Sequence, residues 1–147
     1  MAVCKEESLL CIFERYLAMK KIMGMGRFTT IEAHNKRYEQ FPKTARNQMN
    51  KGVNIEIYER TLDRTSPKLI YSSFDTNNNI SMEQALNDGR VRSFKECMKT
   101  AKYRLEVINK DMKELVDVNN KKMYEQLDML NNILNQSLSL YEEKERI

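Results

Sequence analysis

Tryptophan is absent, and proline, glycine and histidine number only two, four and one in 147 residues. So few helix-breaking residues predict a mostly helical chain. One histidine and three cysteines (Cys4, Cys11 and Cys97) leave too few ligands for a zinc centre, and their spacing follows no metal-binding pattern. An odd number of cysteines gives no disulfide framework and reads as reduced thiols in a cytoplasmic or nucleoid-associated protein. No apolar run approaches membrane-spanning length. Lys5, Glu6, Glu7, Glu14 and Arg15 flank and interrupt the N-terminal apolar stretch, so no secretory signal is expected.

Catalytic patterns are equally scarce. His34 has no Cys-His or Ser-His-Asp context and reads as a surface or DNA-facing side chain. Carboxylates lie among lysines at helical spacing, as in Glu96/Lys99 and Asp111/Lys113/Glu114, which is the pattern of solvated faces. Asp75-x-Asn77-x-Asn79 opens like a calcium loop, but Ile80 and Leu86 stand where the glycine and the bidentate glutamate are needed. Gly24-x-Gly26 follows a helix, not a strand, and reads as a terminator. No catalytic residue, metal or cofactor is assigned, and the chain is read as a non-enzyme.

Positive charge is what the sequence does have, and it is localised. Residues 1–72 carry 13 Lys and Arg against 8 Asp and Glu, and residues 73–147 carry 12 against 13. Within 20–51, Lys20, Lys21, Arg27, Lys36, Arg37, Lys43, Arg46 and Lys51 are opposed only by Glu32 and Glu39. Such a block fits an anionic partner.

Apolar periodicity places the elements. Leu9, Ile12, Phe13, Tyr16, Leu17 and Met23 predict a helix over about 6–23, ended by Gly24-Met25-Gly26. Thr29 with Glu32 forms a capping box for a second helix through Tyr38, which Phe41-Pro42 should end. A third helix runs from Pro42 to Asn50 with Ala45 and Met49 on one face, and Gly52 stops it. From Val53 the period changes to two, so Val53–Tyr58 and Lys68–Phe74 predict a β-hairpin. Ser81 with Gln84 caps a further helix, which Asn87-Asp88-Gly89 should break. Beyond it, Leu105, Ile108, Met112, Leu115, Met123, Leu127, Leu130 and Leu134 follow a heptad-like pattern with a shift near Val118-Asn119-Asn120. That region is one long helix with a phase slip or two antiparallel helices.

The expected fold class is therefore mostly α (α+β): three N-terminal helices and a β-hairpin in a winged-helix-like arrangement, then long C-terminal helices. Residues 1–75 form the expected nucleic-acid-binding domain and 76–147 a helical oligomerisation arm. Over residues 8–75 the element order resembles that of winged-helix regulators, some of which carry a C-terminal helical dimerisation arm. The resemblance implies that 42–50 enters the major groove of double-stranded DNA. Lys36, Arg37, Lys43, Thr44, Arg46, Asn47, Asn50 and Lys51, with Arg60, Arg64 and Lys68 of the hairpin, are the expected DNA-binding residues. Arg pairs with guanine and Asn with adenine, while Lys and Thr reach phosphates. The eight heptad residues named above are the expected homodimer contact. They could instead pack back on the chain's own domain. The expected role is transcription regulation or replication or partition support. Two other readings stand beside it: a helical protein-interaction factor of viral or phage type with no nucleic-acid role, and a single-strand binder that stacks bases on Tyr38, Phe41, Tyr58 and Tyr71.

Overall fold

A computed structural model of the chain describes residues 1–60 and 66–146. It contains α1 (Lys5–Met23), α2 (Ile31–Asn50), β1 (Glu56–Glu59), β2 (Lys68–Ser72), α3 (Met82–Leu115) and α4 (Lys121–Glu145). The mostly α, α+β class holds: four helices and one two-stranded antiparallel sheet among the described residues.

The three expected N-terminal helices are two. The chain runs as one helix from Ile31 to Asn50 with Pro42 inside it, so no corner separates residues 31–38 from 42–50. Pro42 has no N–H to offer the carbonyl four residues back, that of Tyr38. A nitrogen of Arg90, arriving from α3, donates to that carbonyl at 3.3 Å. The Arg90 guanidinium also lies 3.8 Å from the centre of the Tyr38 ring, and the Tyr38 hydroxyl donates to the carbonyl of Val3 at 3.0 Å. The local rule against proline is offset by a donor from a distant helix.

A second expected break is also absent, because α3 passes through Asn87-Asp88-Gly89. Gly89 is there for proximity: a Cβ on it would lie 2.6 Å from the Cβ of Ala2 and 3.1 Å from Cδ1 of Ile70. The N-terminal segment and the hairpin thus seat directly on the helix backbone. The amide of Ala2 donates to the Tyr58 carbonyl at 2.7 Å and binds the same segment to β1.

Other local signals act as expected. Gly24 adopts φ 74 as the left-handed cap of α1, its amide donating to the Lys20 carbonyl. The Ser81 hydroxyl accepts from the Gln84 amide at 3.1 Å. The cap of α2 is Thr30 rather than Thr29, accepting from the Ala33 amide. In the hairpin, Ile57 faces Tyr71 and Tyr58 faces Leu69, so Ile70 bulges out of the ladder.

Two clusters make the core. The larger joins Leu9, Leu10, Phe13 and Leu17 of α1 with Ala101, Ile108 and Met112 of α3 and Leu127, Leu130 and Leu134 of α4. The smaller holds Ala45, Ile57, Tyr71, Met82 and Leu86 under the hairpin. Segments on either side of residue 75 therefore share the main core.

A turn at Asp117–Asn120 separates α3 from α4, the two-helix alternative of the sequence reading. Between them Asn109 and Asn131 exchange two amide hydrogen bonds of 2.9 Å, and each also donates to the carbonyl four residues earlier on its own helix. This half-buried pair fixes the register of the two helices. Asn131→Ala removes both bonds and leaves the Asn109 amide only its bond to the Leu105 carbonyl, and about 1–2 kcal/mol of stability should be lost in urea denaturation. A loss below about 0.3 kcal/mol would remove that role.

Candidate nucleic-acid interface

The face of α2 is set by its sequence periodicity. Ile31, His34 and Ala45 are buried and Tyr38 and Met49 half-buried, all on the side toward the other helices and the hairpin. The opposite side carries Lys36, Arg37, Lys43, Thr44, Asn47, Asn50 and Lys51, every one of them exposed. No carboxylate pairs with Lys36, Arg37, Lys43 or Lys51 among the described residues. Between Arg37 and Lys51, Glu39 is the only acidic residue in the sequence. The result is a continuous cationic face on one unbroken helix, with hydroxyl and amide side chains between the charges.

The remaining expected DNA contacts are placed differently. Arg46 sits at the edge of this face and is held by Glu83 of α3 through a two-pronged ion pair, with Nε at 2.9 Å from Oε2. That hydrogen bond to Arg46 also keeps the Glu83 carboxyl below its ordinary pKa. Arg60, still 39% exposed in its side chain, reaches across to α1, donating to Glu7 Oε1 at 3.0 Å and facing the Cys11 sulfur at 3.6 Å. Lys68 is exposed at the start of β2, and Arg64 lies outside the described residues. Of the four aromatics considered for base stacking, Phe41 is exposed at 40%, Tyr71 is buried, and Tyr38 and Tyr58 are half-buried.

His34 is buried rather than exposed. Its Nε2 is 2.7 Å from the Ser8 hydroxyl and its Nδ1 is 3.0 Å from Asn35 Oδ1, while its ring stacks on Tyr38 at 5.6 Å. Burial pushes the Tyr38 hydroxyl up to about 12, an effect Arg90 partly offsets.

The eight heptad residues expected at a dimer contact lie inside the chain's own core. Leu105, Ile108, Met112, Met123, Leu127, Leu130 and Leu134 are buried, and Leu115 packs against the same cluster. The stripe is covered by α1 and by the partner helix of the α3–α4 pair. A second copy could reach these side chains only if the core opened.

Cavities lie beside the helices, two of them lined by charged side chains of the described residues. One, of about 290 Å³, lies among α1, β1 and α3, and includes Glu7, Glu59, Arg60, Arg92 and Arg104. Its charges are matched: Arg60 and Arg104 pair with Glu7, and Arg92 pairs with Glu59 at 2.5 Å. Arg104 also reaches Glu14 at 2.5 Å. Burial opposes the charge on Arg104, but the hydrogen bonds to Glu14 and Glu7 outweigh it and hold its proton more firmly than usual. The second cavity, of about 340 Å³, lies under the first half of α2 and includes Arg15, Arg37 and Arg90.

Arg90 and Arg104 were not singled out in the sequence, although a signal for each existed. Leu86, Arg90, Phe94, Cys97, Ala101, Arg104 and Ile108 step along α3 by four or three residues, which puts both arginines on its apolar stripe. Among the described residues no group of three or more His, Cys, Asp or Glu could hold a metal ion, and no helix is long and apolar enough to cross a membrane. Comparison of the chain with protein-family models, curated proteins and solved structures gives no match.

Proposed function

We propose that this protein binds double-stranded DNA through the outer face of α2. The observation that carries the proposal is the set of exposed cations Lys36, Arg37, Lys43 and Lys51, which share one face of a 20-residue helix and have no acidic partner among the described residues. A helix of this diameter fits the major groove. The lysines and Arg37 then meet phosphates, while Asn47 and Asn50, on the same face, have the paired donor and acceptor that an adenine edge requires. Arg46, at the edge of this face, is paired with Glu83 through an exposed ion pair and contributes less than the four unpaired cations.

In this arrangement a single presented helix does the work that a helix-turn-helix corner would do in a winged-helix regulator. The body beneath it, α1 with α3 and α4, is the rigid support, and the interruption at Pro42 is braced from below by Arg90. A transcription-regulating, replication or partition role is the context in which duplex binding of this kind would be used.

Fluorescence anisotropy on a labelled random-sequence duplex tests the reading. With four phosphate contacts, affinity should fall roughly a hundredfold between about 50 and 200 mM salt. Replacing Lys43 and Lys51 together by Gln should flatten the slope of log K against log salt by about 2. Absence of binding at low salt, or binding indifferent to salt, would remove DNA as the partner.

A further inference from the structure

The cavity under α2 has an unusual charge balance for a partly enclosed space. Arg15 of α1, Arg37 of α2 and Arg90 of α3 all line it, and no carboxylate does. None of the three has an ion-pair partner among the described residues. The neighbouring cavity is the internal comparison, since its Arg60, Arg92 and Arg104 are each paired with a glutamate. Gathering like charges without a counter-ion costs free energy, most of all where water is partly excluded.

Arg90 is the least satisfied of the group. Its guanidinium is held in place by the Tyr38 ring and the Tyr38 carbonyl, yet its Nε is buried and has no hydrogen-bond partner. Burial disfavours its charge, as the downward direction of its pKa records. A guanidinium fixed in this way at the wall of the cavity is suited to a planar or tetrahedral oxyanion met through its terminal nitrogens. The hydroxyl of Ser8, hydrogen-bonded to His34, lines the same space. Ile12 and Phe41 supply an apolar wall beside these polar groups. A volume of about 340 Å³ is at the small end of ligand pockets.

We propose that this cavity is a binding site for a phosphomonoester carried on an apolar or aromatic body of about mononucleotide size. Arg15, Arg37 and Arg90 hold the phosphate and Phe41 with Ile12 contacts the body. Two sources offer this chemistry: a free mononucleotide and the 5′-phosphate at the end of a nucleic-acid strand. The site is separate from the duplex-binding face except at Arg37, which belongs to both.

Isothermal titration calorimetry with adenosine 5′-monophosphate, and with adenosine as the control, tests it. Saturable binding is expected, with adenosine at least tenfold weaker. Arg15→Gln and Arg37→Gln should each weaken the nucleotide about tenfold or more, as loss of a charged hydrogen bond does. Arg15 is exposed, so its replacement should leave the fold intact, which circular dichroism verifies. The double variant Lys43→Gln/Lys51→Gln, outside the cavity, should bind the nucleotide as the parent does even if duplex binding is lost. That arm separates failure of this site from failure of the duplex reading. A 5′-phosphorylated oligonucleotide that displaces the nucleotide, where its unphosphorylated twin does not, would support the site and name the strand end as a source. No saturable binding, equal affinity for adenosine, or indifference to both arginine variants would each overturn the proposal.

Discussion

Arg104→Ala should remove about 3 kcal/mol of stability, read as a lower urea midpoint with an unchanged slope. The guanidinium is buried between α3 and α1, where it meets Glu7 and Glu14. Its loss takes from Glu7, itself only 7% exposed in its side chain, the more deeply buried of the two arginines that pair with it among the described residues. A buried carboxylate that loses one of its partners accounts for most of the expected cost, and the cavity left by the side chain adds to it. Glu14→Gln is the useful contrast. Its side chain is 38% exposed, so solvent screens the pair and the loss should stay within about 1 kcal/mol. If Arg104→Ala were as mild as Glu14→Gln, the α1–α3 contact would rest on its apolar residues alone.

Leu130→Ala should cost about 3 kcal/mol, and the unfolding midpoint should not depend on protein concentration. Leu130 is fully buried in the chain's own core, between the α3–α4 pair and α1. Deleting most of its side chain removes transfer free energy and leaves a cavity that rigid neighbouring helices close only in part. The concentration arm separates two uses of the same heptad-like stripe. A stripe that joins two copies gives a midpoint that rises with concentration, and a mutation in it acts through dissociation. A stripe that packs on its own chain gives neither effect. A concentration-dependent midpoint, or a loss below about 1 kcal/mol, would contradict the intramolecular packing.

The sequence made some features of this fold legible because their causes are local. Gly24 stops α1 through a left-handed cap, and Ser81 starts α3 through its hydroxyl, each within four residues of the effect. The alternation around Ile57 and the antiparallel hairpin were legible for the same reason. What was hidden depends on contacts far along the chain. Pro42 continues a helix because Arg90 satisfies the Tyr38 carbonyl, and Gly89 stays helical because Ala2 and Ile70 sit against its backbone. The apolar stripe of the C-terminal helices was plain, but periodicity alone does not name the surface that covers it. Here α1 lies across it.

The candidate interface shows the same division. Exposure of Lys36, Lys43 and Lys51 follows from the period of α2, since Ile31, Ala45 and Met49 fix its inner face. Arg46 looked equivalent in sequence, yet Glu83 lies 37 residues away and claims it. Arg60 is drawn to Glu7 across 53 residues. A cation's availability depends on which carboxylates the fold brings near, and helical periodicity carries no such information.

Duplex DNA should meet this protein on the outer face of α2 before any other surface. Backbone amide shifts of the labelled protein, followed as a short duplex is added at low salt, test that face residue by residue. The largest changes should fall between Lys36 and Lys51, concentrated at Lys43, Asn47 and Lys51, with little change at Leu127 to Leu134 on α4. Changes centred on α4, or none at all at saturating duplex, would contradict this placement of the duplex.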